Sequence, residues 1–584
     1  MDASVPVPRR GRWHVWIVIG LILLLGVVAP ILLIVAAAAS GPRVKTGTIV
    51  VVHLEGTIPE APPQNPLAQL FGGGRHQISL RDLQHLVDTV SADRKVAGVI
   101  LEVGSLQAGF ATVEEARGIL AKLHESKKPI QAVLVGDSVG EKEYELALAA
   151  DRVIVTPEAA MLLNGLVAEV AFYRGSLDKI HVQPQLFQFK EYKSAAEPIM
   201  NHEMSAPMRE SLQSMIGDLY GRFVADVSQA RNIPEDKLKA IFDRGGLTTR
   251  EALDAKLVDG LGHAEDIEVE LRKGQPSQKG SFRMPAAKYL AAARDRAEGQ
   301  ALAVIFGVGT ISASNSASLF GGDGIHGQRM AAAIREAAED DDVKAILIRV
   351  NSPGGSAVGS DFVRRAVVAA RVKKPVVVSM GDVAASGGYW ISMGADAIVA
   401  QPSTLTGSIG VVGGKINVRG LYELLGANVD QVKVGANADL MSAYRLFDSA
   451  QAERFRAWMG AVYEDFVRGV AEGRGLKYED VEPNAHGRVW TGAQAKERHL
   501  VDELGGLERA IAIAREKAKI PTSAKTHLRR FPHRKSFLEA LSDEDFPMVR
   551  ALLGASDLDA ALDAQVAEWE TLQPWVLAPK ISIH

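Results

Sequence analysis

Three stretches of the chain hold residue types able to break a peptide or ester bond. Residues 380–390, Met-Gly-Asp-Val-Ala-Ala-Ser-Gly-Gly-Tyr-Trp, place Ser386 among small neighbours where an apolar run gives way to a helical pattern. Small neighbours let another backbone approach, and a helix amino end favours negative charge developing on the serine oxygen. Residues 351–356, Asn-Ser-Pro-Gly-Gly-Ser, follow a second apolar run and would present the bare backbone N–H groups of Gly354 and Gly355 to an oxyanion. These features serve equally well as a helix cap beside packing glycines. The serine needs a base, and no histidine lies in either stretch. Residues 187–198, Phe-Gln-Phe-Lys-Glu-Tyr-Lys-Ser-Ala-Ala-Glu-Pro, offer Lys193 instead. Burial would hold a lysine neutral near working pH, although a lysine taken alone is more commonly a surface residue.

The elements that must position these groups are strands and helices in alternation. Around the two glycine-containing stretches, residues 345–350 read as a strand, 361–371 as a helix and 375–379 as a strand. A helix follows through Tyr389-Trp390-Ile391, then a strand over 397–399. Such spacing means βαβ units in a mainly parallel sheet, whose catalytic groups gather beyond the carboxyl ends of the strands.

The same module is written twice. Gly56 and Gly309, in similar β-rich segments, lie 253 residues apart. The Lys-Lys-Pro run at 127–129 with its following Gly136-Asp137 recurs at 373–375 with Gly381-Asp382, 245 residues on. Leu257-Val258-Asp259 recurs as Leu500-Val501-Asp502, 243 on. Offsets that drift slowly and keep their order mark two homologous halves. The expected domains are 46–271 and 301–520, with a polar, helix-prone connector over 272–300 and a tail of unassigned role over 521–584.

Residues 13–39 are almost uncharged and long enough to cross a bilayer, and Arg9, Arg10 and Arg12 precede them. The expectation is one transmembrane anchor, with residues 1–12 cytoplasmic and the remaining mass outside. The run is longer than a signal-peptide core, although Ala37-Ala38-Ala39 resembles a cleavage site. A net charge of −4 gives no reason to expect nucleic acid as partner. With no cysteine in the chain, disulfides and thiolate catalysis are excluded. The 14 histidines show no metal-ligand spacing. No metal or cofactor is expected.

Taken together, Asn351-Ser352-Pro353-Gly354-Gly355, residues 382–390, Thr406-Gly407-Ser408-Ile409-Gly410 and residues 192–198 resemble signal peptide peptidase A. The form resembled is the long, two-domain protease IV, a serine peptidase with a Ser/Lys dyad. Residues 487–492, Gly-Arg-Val-Trp-Thr-Gly, fit the same pattern, and the resemblance spans roughly residues 46–520. It implies two tandem crotonase/Clp-protease-like α/β domains, Ser386 as nucleophile, Lys193 as general base, and Gly354 and Gly355 at the oxyanion hole. It also implies a homo-oligomer (a homotetramer), attachment to the bacterial inner membrane with the catalytic domains on the periplasmic side, and signal peptides as substrates.

The repeat adds a separate argument. The 245-residue offset puts Glu141 opposite Ser386, and Asp439 or a neighbour falls opposite Lys193. The first copy reads Gly104-Ser105-Leu106-Gln107-Ala108 where the second has its Pro-Gly-Gly turn. Each half has kept one member of the pair, which predicts one composite site per chain. Two rival expectations are a crotonase-type acyl-CoA enzyme and a catalytically inactive membrane scaffold.

Overall fold

The computed structural model describes residues 44–62, 77–271, 283–293, 298–313 and 324–532, with the backbone of 575–577 and 582–583. The anchor expected over 13–39 lies outside the described residues. Among those described, no helix is long and apolar enough to cross a membrane.

Valine- and isoleucine-rich runs without polar alternation form the centre of two parallel sheets, because each is covered on both faces. In the first half the strands run in the order Gly260–Leu261, Arg152–Val155, Ile130–Leu134, Val96–Leu106, Thr48–Gly56, Arg283–Pro285. In the second half Glu503–Leu504, Ala397–Ala400, Val376–Ala385, Val343–Ser352, Gln300–Val308 and Thr526–Phe531 pair in the same order. The matching order, with helices of 26 residues at Ala206–Arg231 and Ser449–Arg474, makes the duplication structural as well as sequential. Arg283–Pro285, inside the segment read as a connector, is an edge strand of the first sheet. Tyr289 behind it is buried in that sheet's core.

Helices fix each sheet from two sides. Gly327–Glu339 and Ala357–Arg371 bury Ile334, Ala337, Val363 and Val367 on one face of the second sheet, while Leu507–Lys517 packs Ala510, Ile513 and Ala514 on the other. Leu80–Ala92 and Phe110–Ala121 play the first role in the front half, and Ala264–Leu271 the second.

The Val376–Ala385 strand is longer than its sequence suggests, and this matters for the site. Its first part, Val377 to Ser379, pairs with Ala397 to Val399. After an irregularity in its pairing with the neighbouring Val343–Ser352 strand, Val383 to Ala385 pair with Leu405 to Gly407. The strand changes partner without stopping, and Ser386 is the first residue beyond it.

Polar ties hold the halves in register. Arg349, 1% exposed, donates from Nε to Glu60 (2.8 Å), from Nη2 to Glu115 (2.6 Å), and from Nη1 to Ser379 Oγ (2.8 Å) and the Met380 carbonyl (3.1 Å). Both carboxylates belong to the first half. The Phe110–Ala121 helix begins at Gly109, which has no side chain to cap it. Asp382 of the second half caps it instead, accepting from the Gly109 (3.1 Å) and Thr112 (2.7 Å) amides and from the Thr112 hydroxyl (2.8 Å). Arg349→Met would leave Glu60 and Glu115 buried without their cation, a loss of about 3–5 kcal/mol. The urea midpoint of the variant should fall accordingly. An unchanged midpoint would show that this triad does not fasten the halves.

Candidate active site

Ser386 caps the short Gly387–Ser392 helix with φ 58° and ψ −115°, a backbone conformation that side-chain-bearing residues seldom adopt. Two hydrogen bonds hold it there. Its amide donates to the Gly407 carbonyl (2.8 Å) and its carbonyl accepts from the Trp390 amide (2.8 Å). The next two residues must be glycine. A Cβ on Gly387 would meet Ser360 Oγ at 2.7 Å, and one on Gly388 would meet the Ser352 carbonyl oxygen at 2.6 Å. The serine loop and the Asn-Ser-Pro-Gly-Gly turn therefore pack backbone against backbone.

Lys193 arrives from the other half. Strand Gln183–Phe189 pairs antiparallel along its whole length with Val411–Asn417, carrying the first half's chain into the second. Past it, the Tyr192 amide donates to the His486 carbonyl (3.0 Å), and the Lys193 side chain runs through a slot walled by glycines. A Cβ on Gly487 would lie 2.6 Å from Lys193 Cβ, and one on Gly410 would lie 3.1 Å from its Cδ. Gly487 has φ 80° and needs glycine on both counts.

The slot ends at the serine. Lys193 Nζ lies 2.6 Å from Ser386 Oγ, 2.8 Å from the Ser408 carbonyl oxygen and 3.0 Å from Ser408 Oγ. Lys193 and Ser386 are each 0% exposed. Burial pushes the amine's pKa well below the ordinary lysine range. The amine is within hydrogen-bond reach of three oxygens, Ser386 Oγ, the Ser408 carbonyl and Ser408 Oγ; in its neutral form it would donate to the two of Ser408 and offer its lone pair to the Ser386 hydroxyl. This is the arrangement a general base needs before attack.

The two sequence-selected residues, 193 positions apart, thus meet across the halves. Gly354 and Gly355 lie beside them: a Cβ on Gly387 would be 3.1 Å from both Gly354 Cα and the Gly355 nitrogen. Both glycines have positive φ, 105° and 152°, and the Gly354 amide donates to Ser352 Oγ at 3.1 Å. Ser408 was missed as a functional residue. Its motif was visible, but a serine at φ 51° in a glycine loop has no sequence signature beyond a turn.

The counterpart positions do not repeat the serine–lysine pair, and the expected match of Glu141 to Ser386 is off by one residue. Helix starts at Glu141 and Gly387 match at an offset of 246, so Gly140, one residue before Glu141, is the positional equivalent of Ser386. Glu141 accepts from the Asn164 (3.0 Å) and Gly165 (2.9 Å) amides. Asp439 pairs with Arg445 (2.7 Å) and Lys433 (3.1 Å). Neither offers a nucleophile or a base to a substrate. Among the described residues, no cluster of His, Asp and Glu is able to hold a metal ion.

Comparison with known proteins identifies the family. The profile of Peptidase family S49 matches residues 122–277 and 369–521, once in each half. The chain is 35% identical to Protease 4 of Salmonella typhi over 503 residues, covering 83% of this chain and 79% of that protein. It is 32% identical to the chloroplastic serine protease SPPA of Arabidopsis thaliana, covering 83% and 71% respectively. For Protease 4 of Haemophilus influenzae the identity is 29%, with coverage of 87% and 82%. A mutant ClpP1 from Listeria monocytogenes superposes on 34% of the chain and 90% of its own length, at 16% identity and a TM-score of 0.22, too low to bear on the fold. With its α/β repeat matched twice and its relatives aligned over most of their length, the chain belongs to peptidase family S49 and is a serine-type peptidase.

Proposed function

We propose that the chain is a membrane-anchored endopeptidase that uses Ser386 and Lys193 as a catalytic dyad. The observation that carries this reading is the 2.6 Å approach of Lys193 Nζ to Ser386 Oγ inside a site closed to solvent. Neutral Lys193 takes the Ser386 proton as Oγ bonds to the scissile carbonyl carbon. The carbonyl oxygen becomes an oxyanion facing the Gly354–Gly355 turn, whose amides stabilise it, that of Gly354 on release from Ser352 Oγ. Lys193 then gives the proton to the leaving nitrogen as the C–N bond breaks, leaving an acyl group on Ser386. A water that loses its proton to Lys193 hydrolyses this ester, and Ser386 regains its hydrogen. Ser408 positions the amine throughout through its carbonyl and hydroxyl oxygens.

The apolar run at 13–39 supports a single-span anchor, with the two catalytic halves on the periplasmic side of the inner membrane. Substrates in that setting are apolar peptides lying at the membrane, cleaved signal peptides among them. A homotetramer is the assembly that goes with this reading.

Ser386→Ala and Lys193→Met should each lower kcat/KM on a fluorogenic apolar peptide by at least about 10⁴-fold. Fluorophosphonate labelling should map to Ser386 in the native chain alone. Turnover close to native in either folded variant would remove the dyad.

A second outcome follows from the direction of the lysine shift. The folded pKa lies below the unfolded one, so between these values the unfolded chain binds the extra proton and stability rises with pH. Lys193→Met abolishes that dependence. Its stability advantage over the native chain should therefore grow as pH falls from about 10.4, by about 1.4 kcal/mol per unit, until the folded pKa is passed. Urea unfolding of both proteins across pH measures this, and parallel curves would mean that Lys193 is charged in the fold.

A further inference from the structure

Two strands near the proposed dyad lie one strand apart in the same sheet. One is Gly354–Ser356, the turn that backs onto Gly387. The other is Val411–Asn417, which starts three residues after Ser408 and carries the Lys193 strand on its far side. The sheet here runs Ile325–His326, Ile311–Ser312, Gly354–Ser356, Trp575–Leu577, Val411–Asn417, Gln183–Phe189. The fourth strand comes from the far end of the chain. Trp575, Val576 and Leu577 lie opposite Ser356, Gly355 and Gly354 in antiparallel register, and Trp575 also lies opposite Val412. Farther on, Ser582 and Ile583 pair with Glu169 and Ala168 of the first half. The tail therefore has backbone partners in both halves.

Removing Trp575–Leu577 would leave two facing edges one strand apart, roughly 10 Å, each with unpaired backbone donors and acceptors. Such a slot takes one extended peptide by strand addition. The strand that fills it is uncharged: residues 571–579 read Thr-Leu-Gln-Pro-Trp-Val-Leu-Ala-Pro. The full burial of Ser386 and Lys193 fits a groove that is already filled, since a serine awaiting substrate must be reachable.

We propose that Trp575–Leu577 is a built-in occupant of the substrate groove, an apolar peptide strand held in cis that competes with substrate. This rests on the reading of Ser386 and Lys193 as the catalytic pair. The 42 residues from 533 to 574 tether the strand to the body of the enzyme. Covalent attachment through a segment of this length gives a local concentration on the order of 1 mM, so a peptide binding at about 0.1 mM would lower apparent substrate affinity about tenfold.

The test compares the full chain, its C-terminus verified by mass spectrometry, with a chain ending at Thr571 and with full-length Val576→Pro. Proline at 576 removes a backbone donor from the strand paired with Gly355. The first readout is kcat/KM on a fluorogenic apolar peptide. The second is the affinity, in the Ser386→Ala background, for fluorescein-labelled Leu-Gln-Pro-Trp-Val-Leu-Ala-Pro. Both altered chains should show kcat/KM raised about tenfold through KM, and the labelled peptide bound more tightly by a similar factor. Neither effect should change on diluting the enzyme. Equal KM and equal peptide affinity in all three chains would overturn the proposal, and so would inhibition that disappears on dilution. If no form cleaves peptide but truncation still tightens binding, the tail stands as occupant and the proteolytic reading falls instead.

Discussion

The proposed dyad depends on one amine kept without its proton. Lys193 is fully buried, no carboxylate among the described residues lies within hydrogen-bonding distance of its Nζ, and its three contacts are the Ser386 hydroxyl and the carbonyl and hydroxyl oxygens of Ser408. An ammonium in the same place would lose its hydration without gaining a counter-ion, and burial resolves this by lowering the pKa. The chemistry and the fold therefore make the same demand. The slot that excludes water from the lysine is also what would let it serve as the proposed base.

Building that slot takes both halves. The strand leading to Lys193 comes from the first copy and is sewn into the second over its whole length. The walls at Gly410 and Gly487 and the positioning oxygens of Ser408 come from the second. The buried Arg349 triad and the Asp382 cap then fix the relative placement of the two sheets close to the dyad, for Asp382 lies four residues before Ser386. In the other copies Asp439 stands opposite Lys193, and Gly140, with Glu141 beside it, stands opposite Ser386. Asp439 pairs with cations and Glu141 receives backbone amides, and neither is left free to react.

The halves, their parallel sheets and the two residues that meet as the proposed dyad were legible in the sequence because each left a local mark. The offsets between repeats, the apolar runs ending in glycine loops, and the loss of one partner per copy were all visible. What was not legible depends on distance in the chain. The Arg349–Glu60 and Arg349–Glu115 contacts join residues 289 and 234 positions apart, and no periodicity announces them. Ser408 looks like a turn residue until its carbonyl and hydroxyl are found beside the lysine. The extra length of the Val376–Ala385 strand comes from a change of partner at Met380 to Asp382, which composition does not encode. The Trp575–Leu577 strand is three apolar residues after a proline, too short to show alternation, and its position is set by the edges it joins.

The charge on Lys193 is the claim on which everything else turns, and it can be observed directly. In protein carrying lysine labelled with ¹³C at Cε, the signal lost in Lys193→Met identifies the residue. A neutral Lys193 holds this signal at the neutral-amine shift while the other lysines are still charged, and the signal titrates only well below theirs. A resonance that stays at the ammonium position up to the pH where the surface lysines titrate would contradict it.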